Sequence, residues 1–313
     1  MLDTFRQLRD RYGESKTLGN LANVYRLQGR RQEAHRLYRE SLDIKRQLGD
    51  RQGEAMTLGN LGNLYADQGC WADAADFYEK AQVVFHELSD YQGMGTTLVN
   101  LGNIYCRQQQ WEHAAKEYKE ALKILRALGE RQGEGQTLSY LSVVYAEQGH
   151  LEEAGQMQQQ ALEILRRLGD RKGEANALYN LGAVLEAQGD LAQACDCYTE
   201  SLRLKQALGD RRSQSIVLIG MGNLAYEAGR LDATLDYYQQ SLEIQRKLGD
   251  RYGEGLTLAN IGRMYVEQAD IQQAADYWRQ AQQVLAALDA PEAQEVTAWL
   301  AELENDGQSG SDT

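Results

Sequence analysis

Apolar positions along the chain fall into two alternating stripes. Leu18, Leu21, Ala22 and Tyr25 follow the i, i+3, i+4, i+7 spacing of one helical face. The stripe returns as Leu58, Leu61, Gly62, Tyr65 and as Leu98, Leu101, Gly102, Tyr105. A second stripe, Ala34, Tyr38 and Ser41, recurs as Ala74, Tyr78, Ala81 and as Ala114, Tyr118, Ala121. Between the stripes lies a turn with glycine at Gly29, Gly69, Gly149, Gly189 and Gly229. After the second stripe comes Leu48-Gly49-Asp50-Arg51, repeated as Leu168-Gly169-Asp170-Arg171, Leu208-Gly209-Asp210-Arg211 and Leu248-Gly249-Asp250-Arg251. Leu128-Gly129-Glu130-Arg131 and Leu88-Ser89-Asp90-Tyr91 are weaker copies.

The period is 40 residues, and seven repeats run without insertion over 11–50, 51–90, 91–130, 131–170, 171–210, 211–250 and 251–290. Residues 1–10 match the end of a repeat. In the second repeat the punctuation predicts a helix from 51 to about 68, capped by Asp50 and closed by Gly69, then a second from 71 to Leu88.

Small and large side chains alternate between columns. The first helix carries Ala22, Gly62, Gly102, Ser142, Gly182, Gly222 and Gly262 at one position. Glycine inside a helix costs roughly 0.5–1 kcal/mol relative to alanine, so its repeated use predicts a close crossing there. The aromatic column Tyr38, Tyr78, Tyr118, Tyr198, Tyr238 and Trp278 is expected to fill volume between neighbouring repeats.

Asn60-Leu61-Gly62-Asn63-Leu64-Tyr65, Gly69, Ala74, Tyr78 and Ala81 resemble the tetratricopeptide repeat position by position, over nearly the whole chain. The lengthened second helix and the Leu-Gly-Asp-Arg-x-Gly-Glu junction are similar to its long-repeat subgroup, which includes the Pins/LGN spindle-orientation adaptors, kinesin light chain and many bacterial proteins. The resemblance implies an all-α, right-handed superhelical solenoid of seven helix-turn-helix repeats, with first helices lining the concave side. The expected organisation is a single solenoid over 1–304. Pro291 is expected to open a capping helix over 291–304, whose Val296, Trp299, Leu300 and Leu303 cover the last repeat. Residues 305–313 read as a disordered acidic tail.

Composition narrows the function. One proline in 313 residues suits a helical chain. A net charge of −13 disfavours non-specific attraction to nucleic acid or to an anionic membrane. No apolar run approaches a membrane span, and the amino terminus is charged and unlike a signal peptide, so a cytoplasmic protein is expected. Cys70 is expected in a turn and Cys106 late in a helix. Cys195 and Cys197 point about 200° apart on a helix, so neither a metal nor a disulfide framework is expected. His35, His86, His113 and His150 occupy different columns, and no phosphate-binding loop occurs; neither catalysis nor a cofactor is expected. Glu54, Glu134, Glu174 and Glu254 repeat at one junction position, as a helix-end or inter-repeat contact would.

The candidate site is the opposite side of the first helix, where residues at 16, 20, 23 and 27 project roughly 150° from the apolar stripe. Two columns there are rich in asparagine: Asn20, Asn60, Asn100, Asn180 and Asn260, and Asn23, Asn63, Asn103 and Asn223. Asparagine is a poor interior-helix residue. Its amide can both donate to and accept from the backbone of an extended peptide. Helices about 10 Å apart would meet such a chain about every third residue. The resemblance to Pins/LGN and kinesin light chain implies the same role. The competing reading is that the columns cap or bridge helices inside the solenoid. The surroundings of Asn20, Asn23 and Asn60 offer one base, Lys16, which disfavours a clamp for a terminal carboxylate.

The first repeat is basic, at +4, while the second, fourth, fifth and seventh are acidic, with an acidic line at Asp67, Glu147, Glu227 and Glu267. A partner with an acidic segment at one end and basic or apolar residues along its length would complement this field. The expected function is a non-enzymatic scaffold or adaptor that holds an extended protein or peptide segment. The alternative is a peptide- or ligand-sensing regulatory protein of a signalling system.

Overall fold

The computed structural model describes residues 2–309. Among them all regular structure is helical, and the helices pack into two compact stacks, residues 1–168 and 169–313. The first stack holds α1 (Leu2–Leu8), then the pairs α2 (Arg11–Leu27) and α3 (Arg31–Leu48), α4 (Arg51–Ala66) and α5 (Trp71–Glu87), α6 (Tyr91–Arg107) and α7 (Trp111–Leu128), α8 (Arg131–Glu147) and α9 (Leu151–Leu168). The second holds α10 (Arg171–Ala187) and α11 (Leu191–Ala207), α12 (Arg211–Glu227) and α13 (Leu231–Leu248), α14 (Arg251–Glu267) and α15 (Ile271–Ala286), and a final helix α16 (Glu292–Ser309). Within a pair the two helices pack side by side. Within each stack a second helix then packs on the next first helix, as α3 on α4 and α13 on α14. Successive first helices also touch, α2 with α4, α4 with α6, α6 with α8 and α10 with α12, which makes the first-helix side the inner side of each stack.

The small column has a direct cause. A Cβ added to Gly62 would lie 2.6 Å from the ring of Tyr78, and one added to Gly102 would lie 2.5 Å from Tyr118. The aromatic ring occupies the space of the missing side chain within its own pair, and also reaches the next repeat, where Tyr78 clusters with Leu101 and Ile104. The fourth repeat changes both partners. Buried Gln158 replaces the ring, and its amide bridges Ser142 Oγ (2.8 Å) and Ser139 Oγ (2.9 Å).

Two residues join consecutive repeats. The Gly49 N–H donates to Arg46 O and the Asp50 N–H to Lys45 O, closing α3 with a left-handed residue at Gly49 (φ 69°). Asp50 then caps α4, its Oδ1 accepting from the Gly53 N–H at 2.9 Å. A link this short leaves no slack, which accounts for the constant period.

The junction glutamate completes the link. Glu54 is 5% exposed, and it accepts from Arg46 Nε at 2.8 Å and from Arg51 at 2.5 Å. Arg126 and Arg131 hold Glu134 in the same way, and Arg246 and Arg251 hold Glu254. Arg6 of α1 and Arg11 hold Glu14, so α1 stands in for the end of a second helix. Burial pushes the Glu54 carboxyl up, but the two guanidiniums outweigh it and hold the carboxyl below its usual range. Hydrogen bonding to Arg6 does the same for Glu14.

The last helix differs from expectation at both ends. Pro291 lies in the preceding turn, where its carbonyl accepts from the Gln294 N–H, so it flanks the helix rather than opening it. The helix continues to Ser309, past the expected boundary at 304, and residues 310–313 of the expected tail lie outside the described residues. Val296 and Leu300 are buried on the last pair, with Leu303 against the same cluster and Trp299 beside Trp278.

Two stability predictions follow from these turns and junctions. Gln109 and Ala269 hold positive φ (58° each) where other repeats carry glycine. Gln109→Gly and Ala269→Gly are each expected to stabilise the chain by about 1 kcal/mol, read as a higher thermal midpoint, because a side chain in the left-handed region costs roughly 1–2 kcal/mol. Glu54→Gln is expected to cost about 1–2 kcal/mol at neutral pH. Because the folded carboxyls of Glu14 and Glu54 titrate below the unfolded ones, their contribution is complete above the ordinary glutamate range. It is lost as pH falls through the depressed values, so the gap between wild type and Glu54→Gln should close on acidification.

Candidate functional site

Six of the nine predicted asparagines lie on the inner face of the first stack and three on that of the second. The two columns behave differently. In the second, Asn23, Asn63, Asn103 and Asn223 each accept a hydrogen bond at Oδ1 from the tyrosine hydroxyl of their own pair: Tyr38 (2.5 Å), Tyr78 (2.6 Å), Tyr118 (2.7 Å) and Tyr238 (2.6 Å). Burial pushes these hydroxyls up from the usual tyrosine range, Tyr238 to about 12, so each is a protonated donor that needs an acceptor. In this column one acceptor site of each amide is therefore taken by the fold, and the Nδ2 donors lie outside these bonds.

The tyrosine hydroxyl is the partner the sequence reading missed, although the signal was present. Asparagine and tyrosine occur together, fifteen residues apart, in four repeats. Where the column loses its asparagine the aromatic finds another acceptor. Tyr198 donates to Glu186 Oε2 at 2.5 Å, and the Trp278 indole donates to the Ala259 carbonyl at 3.0 Å.

The first column is more open. Among the described residues the side chains of Asn20, Asn60, Asn100 and Asn260 make no hydrogen bond, Asn20 being exposed and the other three half-buried. Asn180, at the matching position of α10, is also half-buried. Between α4 and α6, Asn60, Asn63 and Asn100 come together along a groove of ≈ 360 Å³, with Met56, Gly59 and Thr96 among its other walls. A Cβ on Gly59 would meet nothing within 4 Å, so the groove is open at that wall. At the groove's rim Gln52 donates to Asp90 (2.6 Å).

The fourth repeat breaks the pattern on the same face. Tyr140 replaces the first asparagine and Val143 the second, both exposed, with the Tyr140 ring beside that of Tyr118. The expected acidic line is also uneven. Asp67 is paired with Arg26 at 2.5 Å and Glu267 accepts from Tyr226 at 3.2 Å, whereas Glu147 and Glu227 are exposed.

Among the described residues no group of three or more His, Cys, Asp or Glu side chains is placed to hold a metal, and no helix is long and apolar enough to cross a membrane. The four cysteines are free thiols.

Comparison with known proteins agrees with this architecture. The sequence model of the tetratricopeptide repeat matches residues 2–47, 14–82, 53–127, 93–167, 133–207, 173–247 and 213–287. The chain belongs to the tetratricopeptide repeat family. Among solved structures, this tetratricopeptide repeat chain is similar to the apo form of RapI, with 13% identity, a TM-score of 0.72, and coverage of 88% of this chain and 99% of that one. It is similar to aspartyl phosphate phosphatase F from Bacillus subtilis, with 15% identity, a TM-score of 0.71, and coverage of 90% and 73%. It is also similar to the apo quorum sensor NprR from B. thuringiensis, with 14% identity, a TM-score of 0.61, and coverage of 96% and 92%. At these identities the likeness is one of fold. A search of curated proteins finds no match.

The two asparagine columns should separate on mutation. Asn103→Ala leaves the Tyr118 hydroxyl with only the weak sulfur contact to Cys106 (3.5 Å) and is expected to cost about 1 kcal/mol. Asn100→Ala removes no internal bond and replaces a poor helix former with the best, so stability should hold within about 0.5 kcal/mol or rise. Thermal midpoints of the two variants check this.

Proposed function

We propose that this tetratricopeptide repeat protein is a non-enzymatic scaffold or adaptor that holds an extended protein or peptide segment along the inner faces of its helix stacks. The observation that carries the reading is the groove between α4 and α6, where the Asn60 and Asn100 amides make no hydrogen bond among the described residues. A free amide beside an extended backbone supplies one donor and one acceptor to the same peptide residue, whatever its side chain. Asn63 adds a donor through Nδ2 while its oxygen holds Tyr78. A peptide advancing about 3.3 Å per residue would meet successive first helices roughly 10 Å apart at about every third residue.

A second reading is a peptide-sensing regulator, in which the bound segment changes the conformation of the stacks. The quorum sensor NprR, similar in fold along nearly the whole of both chains, suggests it. Small-angle scattering with and without ligand distinguishes the readings: a fixed scaffold keeps its radius of gyration and a sensor changes it.

The test of the site is selection from a random dodecapeptide library displayed on phage, with the full chain as bait. Peptides selected by the wild type are expected to bind the Asn60→Ala/Asn100→Ala variant at least about tenfold more weakly, a loss of about 1.4 kcal/mol, with an unchanged thermal midpoint. Failure to select any peptide, or equal binding by the folded variant, would overturn the proposed site.

A further inference from the structure

The inner face of the second stack departs from the asparagine pattern in its own way. Ile216 is 47% exposed on α12 and Val266 36% exposed on α14, with Ile219 half-buried between the adjoining first helices. Gly220 takes an asparagine position, and the rings of Tyr179 and Tyr198 lie over it, 3.3 and 3.4 Å from where its Cβ would be. Glu186 of α10 accepts from the Tyr198 hydroxyl, and the exposed Glu227 at the end of α12 is close enough for its charge to act on both.

The chain contains its own template for this spot. Glu186 and Glu227 occupy the positions that Arg26 and Asp67 occupy four repeats earlier, and there α2 and α4 are joined by an ion pair at 2.5 Å. In the second stack the same two positions bring like charges together. Burial pushes the Glu186 carboxyl up, Glu227 raises it further, and the bond from Tyr198 only partly opposes them. Taking a carboxylate partly out of water beside another carboxylate is unfavourable unless a cation joins them.

We infer that the inner face of α10 and α12 docks a peptide segment in which a lysine or arginine flanked by apolar residues places its cation between Glu186 and Glu227. The ligand cation takes the role that Arg26 plays toward Asp67, while Tyr179 offers a ring face to the same charge. The apolar neighbours of the cation cover Ile216, Ile219 and Val266. Charge complementarity selects this occupant: the two carboxylates reject an acidic segment, and a wholly apolar one would take them further out of water with no cation between them. The inference rests on the reading of the inner faces as peptide sites and specifies the ligand chemistry of one of them.

Two experiments test it. In the dodecapeptide selection, the wild type is expected to enrich lysine plus arginine beside an aliphatic residue by at least about threefold over the input library. The full-length Glu186→Gln/Glu227→Gln variant should still select peptides but lose that enrichment. Enrichment that persists in the double variant, or wild-type peptides without basic residues, overturns this inference and leaves the asparagine site standing. Selection of no peptide at all overturns both.

The second measurement needs no ligand. Glu227→Arg places opposite charges at the two positions that Arg26 and Asp67 occupy, keeps Glu186 as the acceptor for Tyr198, and is expected to raise the thermal midpoint by about 2 °C in low salt. The gain should vanish in a Glu186→Gln background, whose amide oxygen still accepts from Tyr198. No gain would mean that the two positions do not face one another closely enough to share a cation.

Discussion

The contact on which the rest of the molecule depends is an aromatic ring set against a helix backbone that has been stripped of its side chain. Tyr78 on Gly62 and Tyr118 on Gly102 bring the two helices of a pair to a separation that a larger side chain would not allow. That closeness has a polar consequence, because the ring is long enough to carry its hydroxyl through the pair to the inner face. A buried hydroxyl needs an acceptor, and the first helix supplies one next to its small residue, Asn63 beside Gly62 and Asn103 beside Gly102. Glycine, tyrosine and the second asparagine are thus one device. The fourth repeat supports this by exchanging all three parts at once, to Ser142, Gln158 and Val143, with the glutamine amide satisfied by two serines.

The junction works on a different principle. The Gly-Asp link ends one helix and begins the next, and a buried glutamate ties both to arginines that are about half exposed. Keeping the arginines partly in water lowers the desolvation cost that a fully buried ion triad would carry. The glutamate in turn fixes the register of the second helix against the following repeat. Because α1 supplies Arg6 to the same arrangement, a seven-residue helix is enough to satisfy the first junction.

Most of the fold was legible in the sequence because each repeat poses the same local problem and solves it with residue types of narrow use. Aspartate before the helix, glycine after it, and an apolar stripe between them set the helices to within two residues. The boundary at Pro291 was less legible, since a proline is compatible both with the first turn of a helix and with the position just before it. The candidate site was half legible. Spacing placed Asn60, Asn63 and Asn100 on one face, and the structure brings them to one groove. Spacing along one helix could not show that Asn63 is already engaged by Tyr78, because that bond crosses to the other helix of the pair. What assigns it is the joint occurrence of the two residues across repeats, a pattern of columns.

With the second asparagine column assigned to the fold, variation elsewhere on the inner face acquires meaning. The architecture constrains the Gly–Tyr contact, the capping aspartate and the junction glutamate. It places no comparable demand on the position of Asn20, Asn60, Asn100 and Asn260. Asparagine recurs at that position even though alanine would make a better helix, and the departures are not toward alanine but toward Tyr140 and Gly220. Each departure changes the surface in a distinct way: Tyr140 exposes an aromatic beside Tyr118, and Gly220 admits the rings of Tyr179 and Tyr198. A surface maintained only for solubility would tolerate any polar residue at these places and would drift toward good helix formers. Retention of a poor one, broken at points that create shaped or charged niches, supports the proposal that these inner faces contact a partner.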